Sequence, residues 1–171
     1  PELLYWMKHQ GGRAERKPSP QMIEGSLAHC FILEPDKLKS NYEVCGPRNT
    51  KAGKEEFQQA LENGRQPITL AQYERALAMN HAVNGDLLCN TFFVDGLAEQ
   101  SFFAEDDSTA LQMKARLDWI TPDETIVDLK TVGAGGASPA NFAKQVANFS
   151  YHLQAAHYLE MSQMKRFVFV V

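Results

Sequence analysis

The sequence is short of cysteine, of basic charge and of long apolar runs, and each shortage removes a class of protein. Its three cysteines, Cys30, Cys45 and Cys89, are odd in number and widely spaced among 171 residues. They form neither a CxxC pair nor a disulfide framework, which points to the reducing cytoplasm and to packed, free thiols. No apolar stretch approaches the roughly 18 residues needed to span a bilayer, so no membrane is expected as a partner. Lys and Arg number 17 against 21 Asp and Glu, leaving a formal net charge of −4. A protein that coats nucleic acid through bulk charge is thereby excluded, and any basic surface must be local. Internal repeats and low-complexity tracts are absent as well. No signal peptide opens the chain, which starts at Pro1 and stops inside "RFVFVV", so both ends are expected to be incomplete. The lone sequon, at Asn148, has no secretory context to give it meaning.

What is present suits one globular domain over 1–171, with 1–18 and 41–66 peripheral: 44% of residues are hydrophobic and 22% charged. Ser19 and Pro20 give an N-cap and first-turn signature for a helix that Pro35 limits. Thr69 and Gln72 stand in capping-box spacing before a second helix, which "NGD" at 84–86 breaks. From about Ala98 the pattern changes to strands, "AEQSFFAE", "LQMKARLDWI" and "TIVDLKT". After the glycine-rich "VGAGGASP", Ser138 and Pro139 open one long helix over "SPANFAKQVANFSYHLQAAHYLEM". The unbroken apolar "FVFVV" reads as a strand buried on both faces. The fold class expected is mixed α+β, a mixed sheet with helices packed on it.

Within the strands, "ARLDWITPDETIVDLKT" places two aspartates about a turn. With Thr121 and Thr125 flanking Pro122-Asp123-Glu124, pairing outward sets Ile120 against Ile126, Trp119 against Val127, and Asp118 against Asp128. Facing carboxylates with Cβ atoms about 5 Å apart repel each other, and something must offset that repulsion. One reading makes both aspartates surface residues paired with Arg116 and Lys130. The other holds a divalent cation between hard oxygen ligands, with Lys130 on the same face. Leu117, Trp119, Val127 and Leu129 form the opposite face and would meet a core.

Asp118, a gap of about ten residues, then Asp128-x-Lys130 resembles the PD-(D/E)xK nuclease superfamily. Further motifs follow the same order: "EGSLAHCFILEP", with Gly25 four residues before His29; the strand "VDLKT"; and "YHLQAAHYLE", with Gln154 four residues before Tyr158. Together they are similar to the phage-type exonucleases related to exodeoxyribonuclease VIII and cover roughly 19–171. The resemblance implies a restriction-endonuclease-like core in which Asp118 and Asp128 bind Mg2+, or Mn2+, with His29 as a further ligand. The carbonyl of Leu129 would complete the protein's share. Lys130 would position the attacking water and stabilise charge on the phosphate, with Gln154 and Tyr158 near the scissile phosphate. Glu99 falls where relatives carry an acidic residue.

Read without that resemblance, His29 is an ordinary core histidine and Gln154 and Tyr158 an ordinary helix stripe. The mid-helix Gly25 suggests that something packs close there. Arg13, Arg16, Lys17, Lys51 and Lys54 are candidates for holding a DNA backbone. The family further implies 5′→3′ digestion of linear double-stranded DNA ends in phage-type recombination, as a ring-shaped homo-oligomer with a single-strand-annealing protein. Two alternatives stay open: a nuclease of this fold with another DNA substrate, Cas4- or RecB-like, or an inactive DNA-binding module. The link between "YLEM" and "FVFVV" is shorter than relatives usually have.

Overall fold

A computed structural model describes residues 18–171. Arg13, Arg16 and Lys17 lie outside the described residues. Helix α1, Pro20–Leu33, starts as its sequence predicts: the Ser19 side chain accepts a hydrogen bond from the Met22 N–H at 3.2 Å, and Pro20 occupies the first turn. A 3-10 turn over Pro35–Lys37 and a short helix α2, Leu38–Asn41, follow.

The next segment departs from expectation. Residues 41–66, read as polar periphery, contain β1 (Tyr42–Val44), helix α3 (Lys51–Glu62) and the start of β2 (Gln66–Ile68). β1 and β2 pair in parallel, Tyr42 with Gln66 through Val44 with Ile68. Strands of three residues are too short for an alternation to register, and their pairing across a helix is non-local.

Helix α4, Leu70–Gly85, has the full capping box of Thr69 and Gln72. Asp86 then caps the short α5, Leu87–Phe92, accepting from the backbone N–H groups of Leu88 and Cys89.

A four-stranded sheet is built from β3 (Leu97–Glu105), β4 (Gln112–Ile120), β5 (Thr125–Leu129) and β6 (Arg166–Val170), in that spatial order. β3, β4 and β5 are antiparallel neighbours, while β6 runs parallel to β5. The 138–161 segment is two helices, α6 (Pro139–Asn148) and α7 (Tyr151–Ser162), not one. Ser150 breaks them apart with φ 56°. Neither glycine nor proline marks that break, so the pattern gave no warning of it.

Helices cover both faces of the sheet. Val127, Leu129, Val170 and Trp119 pack against Ile32 of α1, Val83 of α4 and the α5 region. Ala115, Leu117, Ile120 and Ile126 pack against Tyr158, Leu159 and Met161 of α7. Each fully buried aliphatic side chain, such as Leu117, Ile126 or Val127, contributes about 1.5–3 kcal/mol. The strand buried on both faces is β5, every residue of which is buried, whereas the expected one, β6, is half-buried at the edge of this sheet. Leu117 lies with Ile120 and Ile126 rather than with Trp119, so the expected alternation of β4 breaks between 117 and 119.

Candidate active site

The break in β4 centres on Asp118. The predicted register holds for Trp119 with Val127 and for Ile120 with Ile126, but the ladder does not continue to Asp118 and Asp128. On the other side, the β3–β4 ladder runs through Ala98–Trp119 and Gln100–Leu117 and skips the Glu99–Asp118 pair. Asp118 thus sits where strand pairing lapses on both flanks. Its carboxylate takes over part of that pairing, with Oδ2 accepting a hydrogen bond from the Leu129 N–H at 2.9 Å. Glu99 adopts a left-handed φ of 54°, which costs a non-glycine residue roughly 1–2 kcal/mol. Such strain persists where surrounding contacts over-determine it. Here Arg116 forms an ion pair with the Glu99 carboxylate, not with either hairpin aspartate.

Helix α1 brings the third group. A Cβ on Gly25 would come within 2.9 Å of Thr131 Oγ1, just past the end of β5, so the glycine is what permits that close approach. One turn later His29 reaches the strands, its Nδ1 3.7 Å from Asp118 Oδ2. His29, Glu99 and Asp118 each offer a ligand atom, and these atoms all lie within 4.8 Å of one another.

Asp128 is not in that group, because its carboxylate turns toward Lys130 and Gln154. Its Oδ1 lies 2.5 Å from Lys130 Nζ. Its Oδ2 accepts from Gln154 Nε2 at 2.9 Å, and the Gln154 Oε1 accepts from Lys130 Nζ at 3.2 Å. The amide therefore locks the aspartate and the lysine to each other. The ring of Tyr151 carries Lys130 Nζ 4.7 Å from its centroid, a cation–π contact the sequence did not single out.

Burial dominates the electrostatics. Desolvation raises the Asp128 carboxyl to about 6, with the Asp118 charge adding to it and Lys130 opposing. Desolvation also lifts Asp118 to about 6, against the Leu129 hydrogen bond and the Lys130 charge. Burial lowers the His29 imidazole, leaving it neutral near pH 7, so its approach to Asp118 is a contact between a ligand pair rather than a salt bridge. Asp128 is 1% exposed, and the Lys130 ammonium is the charge that meets its Oδ1. A buried and a half-buried carboxylate whose ionisation desolvation disfavours, beside a neutral imidazole and a third carboxylate, suit a divalent cation.

Other candidate residues fall elsewhere. Tyr158 packs its ring into the core between α7 and the sheet, near Phe167, and is not brought to the carboxylates. Lys51 and Lys54 lie on α3, which packs on β2 in the other sheet, and Lys51 pairs with Glu55. The Leu129 backbone lies beside the His29 ring and favours its protonated form. Two concavities, of about 430 and 690 Å³, are lined from the α1–α4 region and both small strands, and include none of the carboxylates gathered around Asp118. Thr131 and Tyr151 are the site's unforeseen members. Only the spacing of Gly25 hinted at one of them.

A family model described as a PDDEXK-like domain of unknown function, DUF3799, matches residues 4–168. A crystal structure of a "Putative exonuclease" from Eubacterium rectale superposes with a TM-score of 0.61 at 18% sequence identity. The alignment covers 97% of this chain and 59% of that one, so the chain spans under two thirds of that neighbour's length. At this identity the likeness speaks for the fold alone. A search of curated proteins finds no match.

Proposed function

This chain belongs to the PDDEXK-like family DUF3799, with a restriction-endonuclease-like fold, and from that membership we propose that it is a divalent-cation-dependent nuclease domain. The observation that carries the reading is the junction of two clusters, His29–Glu99–Asp118 and Asp128–Lys130–Gln154, at the ends of β4 and β5. His29, Glu99 and Asp118 would hold the cation, with Asp128 and the Leu129 carbonyl beside them. A cation there would supply Lewis-acid stabilisation of a phosphate oxygen and acidify water.

The chain's own residues account for the rest. Lys130 is pinned by Asp128 and Gln154, so its ammonium is oriented before substrate arrives and needs little reorganisation to meet a phosphate oxygen. Burial keeps water sparse around the pair, which strengthens each charge. Gln154 positions rather than reacts, since both ends of its amide are engaged.

The finer reading is an exodeoxyribonuclease for linear double-stranded DNA ends, acting 5′→3′ in phage-type recombination. The four co-ordered motifs support it. A ring-shaped oligomer, a single-strand-annealing partner and a cytoplasmic setting belong to the same proposal. Among the described residues, no helix is long and apolar enough to cross a membrane. The basic residues Lys51 and Lys54 enter this proposal only as contacts to the DNA backbone. The test is incubation with Mg2+ or Mn2+ and end-labelled linear duplex, closed circular duplex and single strands, beside an Asp128→Ala control. Loss of the closed circle overturns the exonuclease reading in favour of another nuclease of this fold. No cleavage of any substrate, with the control behaving identically, overturns the enzyme reading in favour of a DNA-binding module.

A further inference from the structure

The helix break between α6 and α7 has a chemical consequence beside the carboxylates. Phe149 closes α6 and is 64% exposed. Its ring stacks on that of Tyr151, with centroids 5.6 Å apart and planes at 28°. Tyr151 in turn lies under Lys130 Nζ at 4.7 Å. Phe142 and Phe169 back the Tyr151 ring, at 6.1 and 5.8 Å. A nearly parallel aromatic ladder therefore leads from the ammonium that would meet a phosphate out to an exposed ring.

A single exposed phenylalanine is unremarkable on a protein surface. This one is continuous with the site, and its orientation sets it apart. Among the described residues, Phe31 with Tyr73 and Phe93 with Trp119 meet edge to face, and Tyr158 with Phe167 is tilted by 51°. Parallel rings next to a phosphate-binding lysine match what single-stranded nucleic acid requires: a charge for the backbone and flat π faces for the bases.

We propose that Phe149, supported by Tyr151, is a stacking shelf for an unpaired nucleobase of the strand being cleaved. This rests on the nuclease reading and narrows its substrate. A base inside a duplex has both faces occupied by its neighbours, so one that stacks on Phe149 has left the helix, at a frayed end or in a single strand. The αL geometry of Ser150 turns the chain between the helices and lets the rings of Phe149 and Tyr151 stack, which an unbroken helix could not do, because residues two apart there point about 200° apart.

The test uses the whole chain carrying Asp128→Asn, with Mn2+ and a short single-stranded oligonucleotide bearing terminal 2-aminopurine, whose fluorescence falls on stacking. With Phe149 intact, binding quenches the probe. Phe149→Ala weakens binding by about 5- to 100-fold and removes most of the quench, and Phe149→Trp restores both. Phe149→Leu keeps the apolar bulk without a π face and behaves like alanine. The inference is overturned by an absent quench with Phe149 intact, by an alanine variant that quenches normally, or by leucine matching tryptophan. It is also overturned if Phe149→Ala changes only the sedimentation coefficient, which would assign the ring to a second copy of the chain. Failure of the underlying reading is separate: the unsubstituted chain would then hydrolyse no nucleic acid with any divalent cation, whatever residue 149 is.

Discussion

At the scale of single residues, Asp128 is held where its own charge is unwelcome. It is 1% exposed, and burial together with the neighbouring Asp118 raises its carboxyl to about 6. Removing that charge relieves repulsion at neutral pH, while Gln154 can still donate to an amide oxygen. Asp128→Asn is therefore expected to keep or raise Tm by a few degrees at pH 7.5 without cation, and to lose at least about a hundredfold in hydrolysis. A calorimetric scan beside a nuclease assay checks both halves; a large drop in Tm would show that the Lys130 pairing outweighs the repulsion. Gly25 separates the same two quantities differently. Alanine there gains up to about 1 kcal/mol of helix propensity but drives its methyl against Thr131 Oγ1, next to Lys130. The expected result is a Tm within a few degrees of the parent and hydrolysis reduced about tenfold or more.

The elements carry what local pattern could and could not reveal. The hairpin was legible because Thr121 and Thr125 bracket a turn and the side-chain period of two propagates from it. Trp119 does meet Val127, and Ile120 meets Ile126. Asp118 was legible as a neighbour of Asp128 but not as a break in two ladders. That break depends on Glu99 at φ 54°, and nothing local to Glu99 announces a left-handed residue. The α1 face with His29 followed from i, i+4 spacing. The parallel β1–β2 pair did not, because its partners are joined only through the intervening α3. The helix break at Ser150 was equally hidden, and it yields an element-scale prediction. Ser150 sits at φ 56° and its side chain makes no capping hydrogen bond, so glycine deletes no contact and removes strain. Ser150→Gly should raise stability by about 1 kcal/mol, read as an increase in Tm of about 2–4 °C.

For the whole molecule, a net charge of −4 and a largely half-buried acidic cluster make cation binding, substrate affinity and pH one linked problem. Asp118 and Asp128 are raised from 3.8 to about 6 by folding. Between those values the folded chain holds more protons than the unfolded one, so this stabilising contribution is complete below about pH 4 and disappears as pH rises through about 6. A divalent cation acts in the opposite direction, since it binds the ionised carboxylates and must displace any protons they carry. Its apparent affinity should fall by up to about tenfold per pH unit for each carboxylate below pH 6. The neutral His29 imidazole remains available as a ligand down to lower pH than an ordinary histidine, because its own proton affinity is depressed. The increase in Tm caused by millimolar Mn2+ should thus be near zero at pH 5, and should grow through pH 6 to a plateau above pH 7. In the Asp128→Asn chain the rise should be shallower, with one titrating carboxylate fewer at the site. Thermal scans across that range, with and without cation, measure the slope directly. A cation shift equal at pH 5 and pH 7.5 would mean that the metal binds through exposed carboxylates elsewhere, leaving Asp118 and Asp128 protonated and unable to serve the proposed chemistry.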